Sequence, residues 1–356
     1  MKAKNNKVSS GNPELIEALE AIEKEKDISK EILIDAIQNS LLAACKDQFG
    51  KSDNIRVTLD DITGEFHVYQ DKEVVEEVED DMLQMSLTEA EARHNVTEIG
   101  AIVSIEVTPK NFGRISAQKA KQVVVQKIRE EERKVLYDQY YTKERDIITG
   151  TVQRYSNGNY TVNLGKVDTV LTEAEQVKTE RFHSHEKIKV YVTEVRDTTR
   201  GPRITVSRTH PELVKRLFES EVAEIQSGVV EIKNVSREAG SRSKIAVYSS
   251  NPDVDPVGAC VGVNGIRVNT VVEELRGEKI DIVEWNENPA VFIEHALSPS
   301  RVLSVTVDPE EKTALVIVPD YQLSLAIGKE GQNARLAAKL TGYKIDIKSE
   351  TQSLEG

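Results

Sequence analysis

Two short glycine loops are the part of this sequence whose residue types and spacing point most directly to a chemistry. The later loop, residues 328–331, reads Gly-Lys-Glu-Gly, and the earlier loop, residues 262–265, reads Gly-Val-Asn-Gly. Because glycine has no Cβ, two glycines around two residues let a tight turn bring backbone N–H groups close to a phosphate. A helical pattern follows each loop, and the N-terminal end of a helix adds positive potential. This spacing predicts binding of a phosphate-bearing backbone.

The loops belong to a longer internal repeat. Each is followed by a helical pattern, a glycine and the same four residues, Lys-Ile-Asp-Ile, at 279–282 and 344–347. Before each loop the patterns predict a helix and two strands: helices at 213–227 and 289–297, and strands at 229–235, 244–248, 303–307 and 314–318. This tandem order is typical of KH domains of the bacterial type (type II), which clamp about four single-stranded nucleotides. A pair of ordinary helical corners would not explain why the tetrapeptide recurs.

The two repeats supply candidate RNA contacts. In the second repeat Lys329 can approach a phosphate, Glu330 should point away, and polar residues open the next helix. The second-repeat candidates are Gly328, Lys329, Glu330, Gly331, Gln332, Asn333 and Arg335. The first-repeat candidates are Gly262, Val263, Asn264, Gly265 and Arg267, with the basic cluster Arg237, Arg242 and Lys244 around Gly240. The alternatives are helix capping by the polar residues and a solvated hairpin turn for the basic cluster.

Residues 146–209 carry a different pattern. Five short alternating strands, separated by turn clusters, predict a small closed β-barrel of the OB type. The strands are predicted at 148–155, 160–164, 169–171, 187–196 and 203–207. Such barrels bind single strands by stacking bases on aromatic side chains. The candidates are Arg154, Tyr155, Tyr160 and Arg200. Tyrosine in a small barrel serves equally often as a core residue, so both roles stay open for Tyr155 and Tyr160.

The N-terminal part is predicted to be a separate domain of helices and strands that ends in a long connector helix. The patterns predict helices at 13–25, 29–49, 86–95 and 112–140, a hairpin of 55–59 and 65–69, and a strand at 101–107. Arg114 and Lys121 are seven residues apart on the long helix and therefore share a face. The residues alone are compatible with an ordinary charged surface. The charged stretch at 129–134 is interpreted as solvated.

Composition narrows the class of protein. The chain has 356 residues, of which 30% are charged and 5% aromatic, which fits several small domains. The net charge of −13 argues against non-specific nucleic-acid binding, so RNA binding should depend on local basic patches. Two cysteines cannot build a disulfide framework. No apolar run reaches about 18 residues and the N-terminus is polar, so we expect no membrane span, no secretory signal and a cytoplasmic location.

No enzymatic activity, cofactor or metal is expected. The stretch ending in Gly165-Lys166 has the wrong spacing for a phosphate loop, and Val167 stands where serine or threonine is needed. His183 and His185 have no third ligand nearby in the sequence. The acidic segment 71–81 is interpreted as a solvated surface rather than a metal site.

The predicted organisation is a multidomain α+β chain. Its predicted parts are a disordered arm (1–12), an N-terminal domain with the connector helix (13–145), the OB-type barrel (146–210), the first KH domain (211–285), the second KH domain (286–349) and a tail (350–356).

This order resembles the NusA family of bacterial transcription elongation and termination factors, in which a helical N-terminal domain precedes an S-one-type barrel and two KH domains. The resemblance covers nearly the whole chain after residue 12. The motifs that carry it are Thr108-Pro109, Phe112-Gly113-Arg114-Ile115, Ala120-Lys121-Gln122-Val123, Ile148-Thr149-Gly150, Thr199-Arg200-Gly201-Pro202, Ser207-Arg208-Thr209-His210-Pro211, Pro252 with Asp255-Pro256-Val257-Gly258-Ala259-Cys260-Val261-Gly262, Leu325-Ala326-Ile327-Gly328, and Gly331-Gln332-Asn333.

The resemblance implies a set of partners. The N-terminal domain would bind RNA polymerase near the flap at the RNA exit channel, and the barrel and KH domains would bind nascent single-stranded and hairpin RNA. Positions matching Arg114 and Lys121 would lie where nascent hairpins pass. The family prolongs pausing, assists intrinsic termination and joins antitermination with other factors. We expect a monomer.

Two departures from the family pattern bear on these expectations. The first loop lacks a basic residue, so its grip on a phosphate would rest on backbone N–H groups. The chain also resembles the shorter family members, which lack C-terminal acidic repeats.

Two alternative functions use the same RNA-binding domains. A general RNA chaperone or ribosome-associated binder would not act on polymerase, and the block at 108–123 argues against it. An RNA-processing enzyme is the second alternative, because KH and S-one-type domains also accompany an exoribonuclease. There they occur in the opposite order, and residues 1–145 offer no catalytic constellation.

Overall fold

The computed structural model describes residues 13–26, 28–49, 54–60, 63–109 and 112–355. The chain divides into two compact units, Met1–Val135 and Leu136–Gly356. The division falls inside the long helix α4 (Phe112–Tyr141), before the boundary near residue 145 that the sequence suggested. The reason is packing, because Leu136, Tyr137 and Tyr140 at the end of α4 contribute to the core of the barrel.

The first unit is a four-stranded sheet with helices. Its elements are α1 (Pro13–Lys26), α2 (Lys30–Phe49), β1 (Ile55–Leu59), β2 (Phe66–Val75), β3 (Gln84–Ser86), α3 (Leu87–His94), β4 (Ile102–Glu106) and the first part of α4. Strand β2 is central, pairing antiparallel with β1 and β4 and parallel with β3. The apolar stripe of α2 (Leu33, Ile37 and Leu41) is fully buried against this sheet. The prediction of a mixed helical and β domain is confirmed.

The second unit begins with the barrel. Its strands are β5 (Ile147–Ser156), β6 (Asn159–Asn163), β7 (Asp168–Leu171), β8 (Lys187–Arg196) and β9 (Arg203–Ser207), in the antiparallel order β7-β6-β5-β8-β9. The sheet curls until β7 meets β9, where Thr169 Oγ1 donates to the Ile204 carbonyl at 2.5 Å. The edges are thus linked by a side chain rather than by a backbone ladder. The predicted OB-type barrel is confirmed.

The two repeats fold as the sequence predicts. The first contains α5 (Pro211–Glu221), α6 (Ala223–Gln226), β10 (Val230–Glu238), β11 (Arg242–Ser249), α7 (Pro256–Val261), α8 (Ile266–Glu274) and β12 (Lys279–Glu284). The second contains α9 (Pro289–Ala296), β13 (Ser304–Asp308), β14 (Thr313–Val318), α10 (Leu323–Ile327), α11 (Gln332–Thr341) and β15 (Lys344–Ser349). In each sheet the first two strands are antiparallel, and the third joins the second in parallel. This is the type II KH topology.

Several elements differ from the prediction: β2 continues to Val75, where the predicted strand ended at residue 69, and β3 was not predicted. Two further differences lie in the second unit. The helix predicted at 213–227 is interrupted at Val222, which adopts an extended conformation and is fully buried. The predicted tail forms a short helix, α12 (Glu350–Glu355), and Thr351 Oγ1 donates to Asp320 at 2.8 Å. Tertiary contacts, which no local pattern reports, decide both details. Among the described residues, no helix combines the length and apolar character that a bilayer crossing requires.

Barrel and first KH domain are joined through Arg208, immediately after β9. Its guanidinium is fully buried and ion-paired with Glu180 of the barrel, which is 2% exposed. Nη1 donates to the Lys189 carbonyl at 2.7 Å and to the Glu274 carboxylate at 3.0 Å. Glu274 belongs to α8 of the KH domain, so one side chain ties the two domains together.

Candidate nucleic-acid interface

The two glycine loops have the same backbone conformation. Gly262 and Gly328 have φ/ψ of 75°/172° and 76°/173°, and the second glycines have 74°/15° and 75°/14°. The residue before each second glycine, Asn264 or Glu330, is left-handed, with φ of 54° and 53°. The second glycine donates its N–H to the carbonyl of the first at 3.1 Å in both loops. The repeat in sequence is therefore a repeat in geometry.

Packing requires the first glycine of each loop as firmly as its conformation does. A Cβ on Gly328 would lie 2.8 Å from the backbone nitrogen of Asn333, and one on Gly262 would lie 2.8 Å from Cγ of Arg267. Each loop is folded against the helix that follows it. A side chain at either first glycine would therefore have to displace the start of the following helix.

Charge distinguishes the two loops. Lys329 in the second loop is exposed, and no ion-pair partner for it exists among the described residues. In the first loop Val263 is 79% exposed and Asn264 is also exposed. The second loop can thus add a cation to the backbone donors, whereas the first offers backbone, amide and apolar surface. This agrees with the sequence-based doubt about the first loop.

Two predicted RNA contacts turn inward instead. Asn333 is 6% exposed, and its Nδ2 donates to the carbonyls of Leu297 at 3.1 Å and Ala326 at 3.0 Å. The equivalent residue of the first repeat, Arg267, donates to the Ala259 carbonyl at 2.6 Å and to Glu224 at 2.8 Å. Both side chains fasten the loop to preceding helices. Asn333 is therefore removed from the candidate set, and Arg267 is already engaged.

The remaining polar candidates of the second repeat reach the neighbouring KH domain. Gln332 Nε2 donates to Glu238 at 2.8 Å and to Ser241 Oγ at 2.7 Å. Arg335 Nε donates to Glu238 at 3.0 Å, while half of its side chain stays exposed. These contacts lower the pKa of Glu238 below its usual range, since hydrogen bonds from Arg335 and Gln332 favour the carboxylate. Gln332 and Arg335 thus lie at the interface between the two KH domains.

The basic cluster predicted to contact RNA is an internal ion-pair network. Arg237 is 1% exposed at its side chain and pairs with fully buried Glu278 at 2.9 Å. Lys244 is fully buried, and both it and Arg242 pair with Asp281, at 2.9 and 2.7 Å. The predicted role of Arg237 and Lys244 as RNA contacts is therefore corrected, because both side chains are buried in ion pairs inside the first KH domain. Arg242, with 28% of its side chain exposed, is already engaged by the same Asp281 carboxylate as Lys244. Sequence could not reveal this, because the acidic partners lie about 40 residues away in the chain.

In the barrel, the two tyrosines separate into different roles. Tyr160 is 5% exposed, and its ring meets Phe182 edge-on at 5.4 Å, so it belongs to the core and cannot stack a base. Tyr155 is 61% exposed and lies against Tyr160 with ring centroids 4.6 Å apart. Arg154 and Arg200 are exposed. Tyr155, whose ring packs against that of Tyr160, is therefore the candidate of the two on which a base could stack.

The N-terminal candidates Arg114 and Lys121 both lie on α4. Lys121 is exposed on α4. Arg114 lies in α4, but its side chain falls outside the described part of the structure. The prediction that both contact nascent RNA therefore stays a prediction.

Sequence reasoning missed an apolar surface beside the loops. Tyr321 is 74% exposed just before α10, and Leu325 and Ile327 of α10 are 45% and 37% exposed. Ile266 in the first repeat is 62% exposed. Exposed apolar residues beside a G-x-x-G loop suit the faces of unstacked bases. The sequence signal that could have revealed this surface is an apolar residue at a position that the helical pattern places on the solvent-facing side.

Metal and thiol chemistry have no support in this region. Across the residues that the structure describes, no group of His, Cys, Asp or Glu is arranged to hold a metal ion. Cys260 is buried beneath the first loop, and burial raises the pKa of its thiol to about 12. The thiol is therefore protonated and unreactive at neutral pH.

Fold and site together define a class: a multidomain protein with one OB-type barrel and two type II KH domains. Comparison with family profiles matches the NusA N-terminal domain at residues 14–134 and an S1 RNA binding domain at residues 141–207. The NusA-like first and second KH domains match at residues 208–285 and 289–355.

Curated relatives match over nearly the whole chain. "Transcription termination/antitermination protein NusA" of Bacillus subtilis (strain 168) is 57% identical over 342 residues, which cover 96% of this chain and 92% of the relative. The protein of the same name from Halalkalibacterium halodurans is 56% identical, covering 97% and 90%. That of Thermus thermophilus is 40% identical, covering 94% and 89%. The chain belongs to the NusA family, and the resemblance inferred from its motifs is confirmed.

Proposed function

We propose that this protein is a non-enzymatic transcription factor of the cytoplasm that binds RNA polymerase and nascent RNA together. Its N-terminal domain docks near the flap at the RNA exit channel, and its barrel and KH domains hold the emerging transcript. Through this bridge it modulates pausing, intrinsic termination and, with other factors, antitermination. The relatives' shared name, "Transcription termination/antitermination protein NusA", supports this role.

The second KH loop is the observation that carries the RNA half of the proposal. It combines the G-x-x-G backbone geometry, the N-terminus of α11 and the exposed cation Lys329. A helix N-terminus and an ammonium group both favour a phosphate. Tyr155 on the barrel and the apolar residues around α10 add surfaces for bases.

The mechanism is one of positioning. An acidic chain with net charge −13 has weak general attraction for RNA, so its binding in free solution should be modest. Docking on polymerase places the KH domains beside the exiting transcript, which raises their effective concentration to about the millimolar range. RNA then binds where it emerges rather than throughout the cell. The protein then holds the emerging RNA in a position that favours formation of a hairpin at the exit channel.

The lifetime of a hairpin-stabilised pause of bacterial RNA polymerase tests the proposal. We expect the full chain to lengthen the pause. The variant Gly331→Asp should still co-precipitate with polymerase but lose most of the effect. An unchanged pause lifetime, with RNA binding intact, would overturn the polymerase role and favour a general RNA chaperone. Loss of co-precipitation in the loop variant would instead contradict the assignment of polymerase binding to the N-terminal domain and RNA binding to the barrel and KH domains.

A further inference from the structure

Glu238, the last residue of β10 in the first KH domain, holds two donors of the second. Its carboxylate accepts from Arg335 through Nε at 3.0 Å and Nη2 at 3.4 Å, and from Gln332 Nε2 at 2.8 Å. Gln332 is the first residue of α11, directly after the G-x-x-G loop. An acidic side chain of one domain thus occupies donors that face the candidate phosphate site of the other.

A carboxylate is a close chemical substitute for a phosphate at such a place. Both present two oxygens to the planar fork of a guanidinium, and both favour the N-terminus of a helix. Glu238 is one-quarter exposed and Arg335 is one-half exposed, so the contact is open to a competing anion. The hydrogen bonds from Arg335 and Gln332 keep the pKa of Glu238 low, and the carboxylate is therefore charged at neutral pH.

We propose that Glu238 determines the RNA affinity and selectivity of the second KH loop by competing, within the molecule, with an RNA backbone phosphate for Arg335 and Gln332. The inference rests on the proposed RNA-binding function of that loop. A phosphate that engages Arg335 must displace Glu238 or lie beside it, where two negative charges repel. Backbone contact alone is then insufficient, and RNA that also satisfies Lys329 and the exposed apolar residues is preferred.

The same contact could instead position Arg335 to receive RNA, and the two roles predict opposite signs. If Glu238 competes, removing its charge while keeping its size weakens its contact with Arg335 and tightens RNA binding. If Glu238 positions Arg335, the same change weakens binding. The substitution Glu238→Gln separates these cases.

The measurement is the dissociation constant of the full-length chain for a labelled, random-sequence single-stranded RNA of about 12 nucleotides, enough for three four-nucleotide sites. We expect Glu238→Gln to bind about three- to tenfold more tightly at low salt. One additional phosphate contact should steepen the slope of log affinity against log salt by about 0.7. Glu231→Gln is the matched control: it removes the same charge from the same strand, but Glu231 pairs with Lys233 at 2.5 Å.

The control should bind RNA as the unmodified protein does. In an Arg335→Gln background, the gain from Glu238→Gln should be smaller, because Arg335 is one of the two donors that the substitution releases. Equal or weaker binding by Glu238→Gln overturns the proposal, as does an equal gain in Glu231→Gln, since that would be an effect of bulk charge. Absence of RNA binding by both the unmodified protein and Glu238→Gln would refute the proposed RNA-binding function itself.

Discussion

Lys244 and Asp281 face each other across the parallel ladder of β11 and β12, with Lys244 Nζ 2.9 Å from Asp281 Oδ2. The lysine is fully buried, and its Nζ also donates to the Ser298 carbonyl at 2.9 Å. In the second repeat, the corresponding aspartate is Asp346, which pairs in register with Leu315 and is exposed. One tetrapeptide, Lys-Ile-Asp-Ile, thus has an ionic role in the first repeat and a solvated role in the second.

This difference predicts unequal effects of the same substitution. Asp281→Asn leaves the Lys244 charge buried without its carboxylate and should destabilise the protein by about 2–3 kcal/mol. Asp346→Asn, its control in the second repeat, should change stability by less than about 0.5 kcal/mol. Thermal unfolding followed by circular dichroism measures both. Equal shifts in melting temperature would contradict an ionic role confined to the first repeat.

The Asp281 pair also predicts a pH dependence. Burial works against ionisation of Asp281, but the hydrogen bond from Arg242 and the charge of Lys244 hold its pKa below the usual value of 3.8. Because the folded-state pKa is lowered, the stabilisation is present above pH 3.8 and is lost as pH falls through the folded-state value. The difference in melting temperature between Asp281→Asn and the unmodified protein should therefore shrink below pH 3.8. A difference that stays constant in acid would refute this origin of the stabilisation.

Arg208 predicts that the junction of barrel and KH domain is sensitive to a single side chain. Its pKa is raised, since Glu180 and Glu274 outweigh the opposing effect of burial. Arg208→Met leaves the buried Glu180 carboxylate unpaired and should destabilise by about 3–5 kcal/mol. Adding Glu180→Leu should recover part of the lost melting temperature. Arg216→Met, which removes the partly exposed Arg216–Glu219 pair, is the control and should cost less than about 1 kcal/mol.

Gly331→Asp tests the second loop. Gly331 has φ of 75°, so aspartate there is strained and adds a negative charge where a phosphate is expected. We expect RNA affinity to fall by about tenfold or more. Gly342→Asp is matched, because Gly342 has φ of 76° at the other end of α11 and open space around its Cβ position. Equal losses in filter binding would show that strain in α11, rather than the loop, controls affinity.

Tyr155 tests the barrel face. Tyr155→Ala should weaken RNA binding by about 1–3 kcal/mol if one base stacks on the ring. Tyr155→Phe keeps the stacking surface and should bind RNA nearly as well as the unmodified protein. Because Tyr155 is 61% exposed, neither change should lower the melting temperature appreciably. Full affinity in Tyr155→Ala would remove this ring from the interface.

Local patterns were sufficient for most elements and for the repeat. The period-two runs gave the barrel strands within one or two residues, and the glycine spacing gave two loops whose φ angles agree within a few degrees. These features follow from residue-by-residue steric and hydrophobic preferences, which the sequence states directly. The family motifs, spread along the chain, added the order of the domains.

Side-chain roles depended on partners far away in the chain. Arg237 and Lys244 resemble surface cations in sequence, yet both are buried in ion pairs with Glu278 and Asp281. Asn333 resembles a surface amide, yet it is buried and donates to the carbonyls of Leu297 and Ala326. Tyr155 and Tyr160 are cross-strand partners in β5 and β6, yet only Tyr160 is buried.

The sequence by itself determined the fold class, the two loops and the family. The tertiary structure decided which polar side chains remain available, because burial and ion pairing bring together residues that the chain keeps apart. The position of Glu238 against Arg335 is such a decision, since 97 residues separate them.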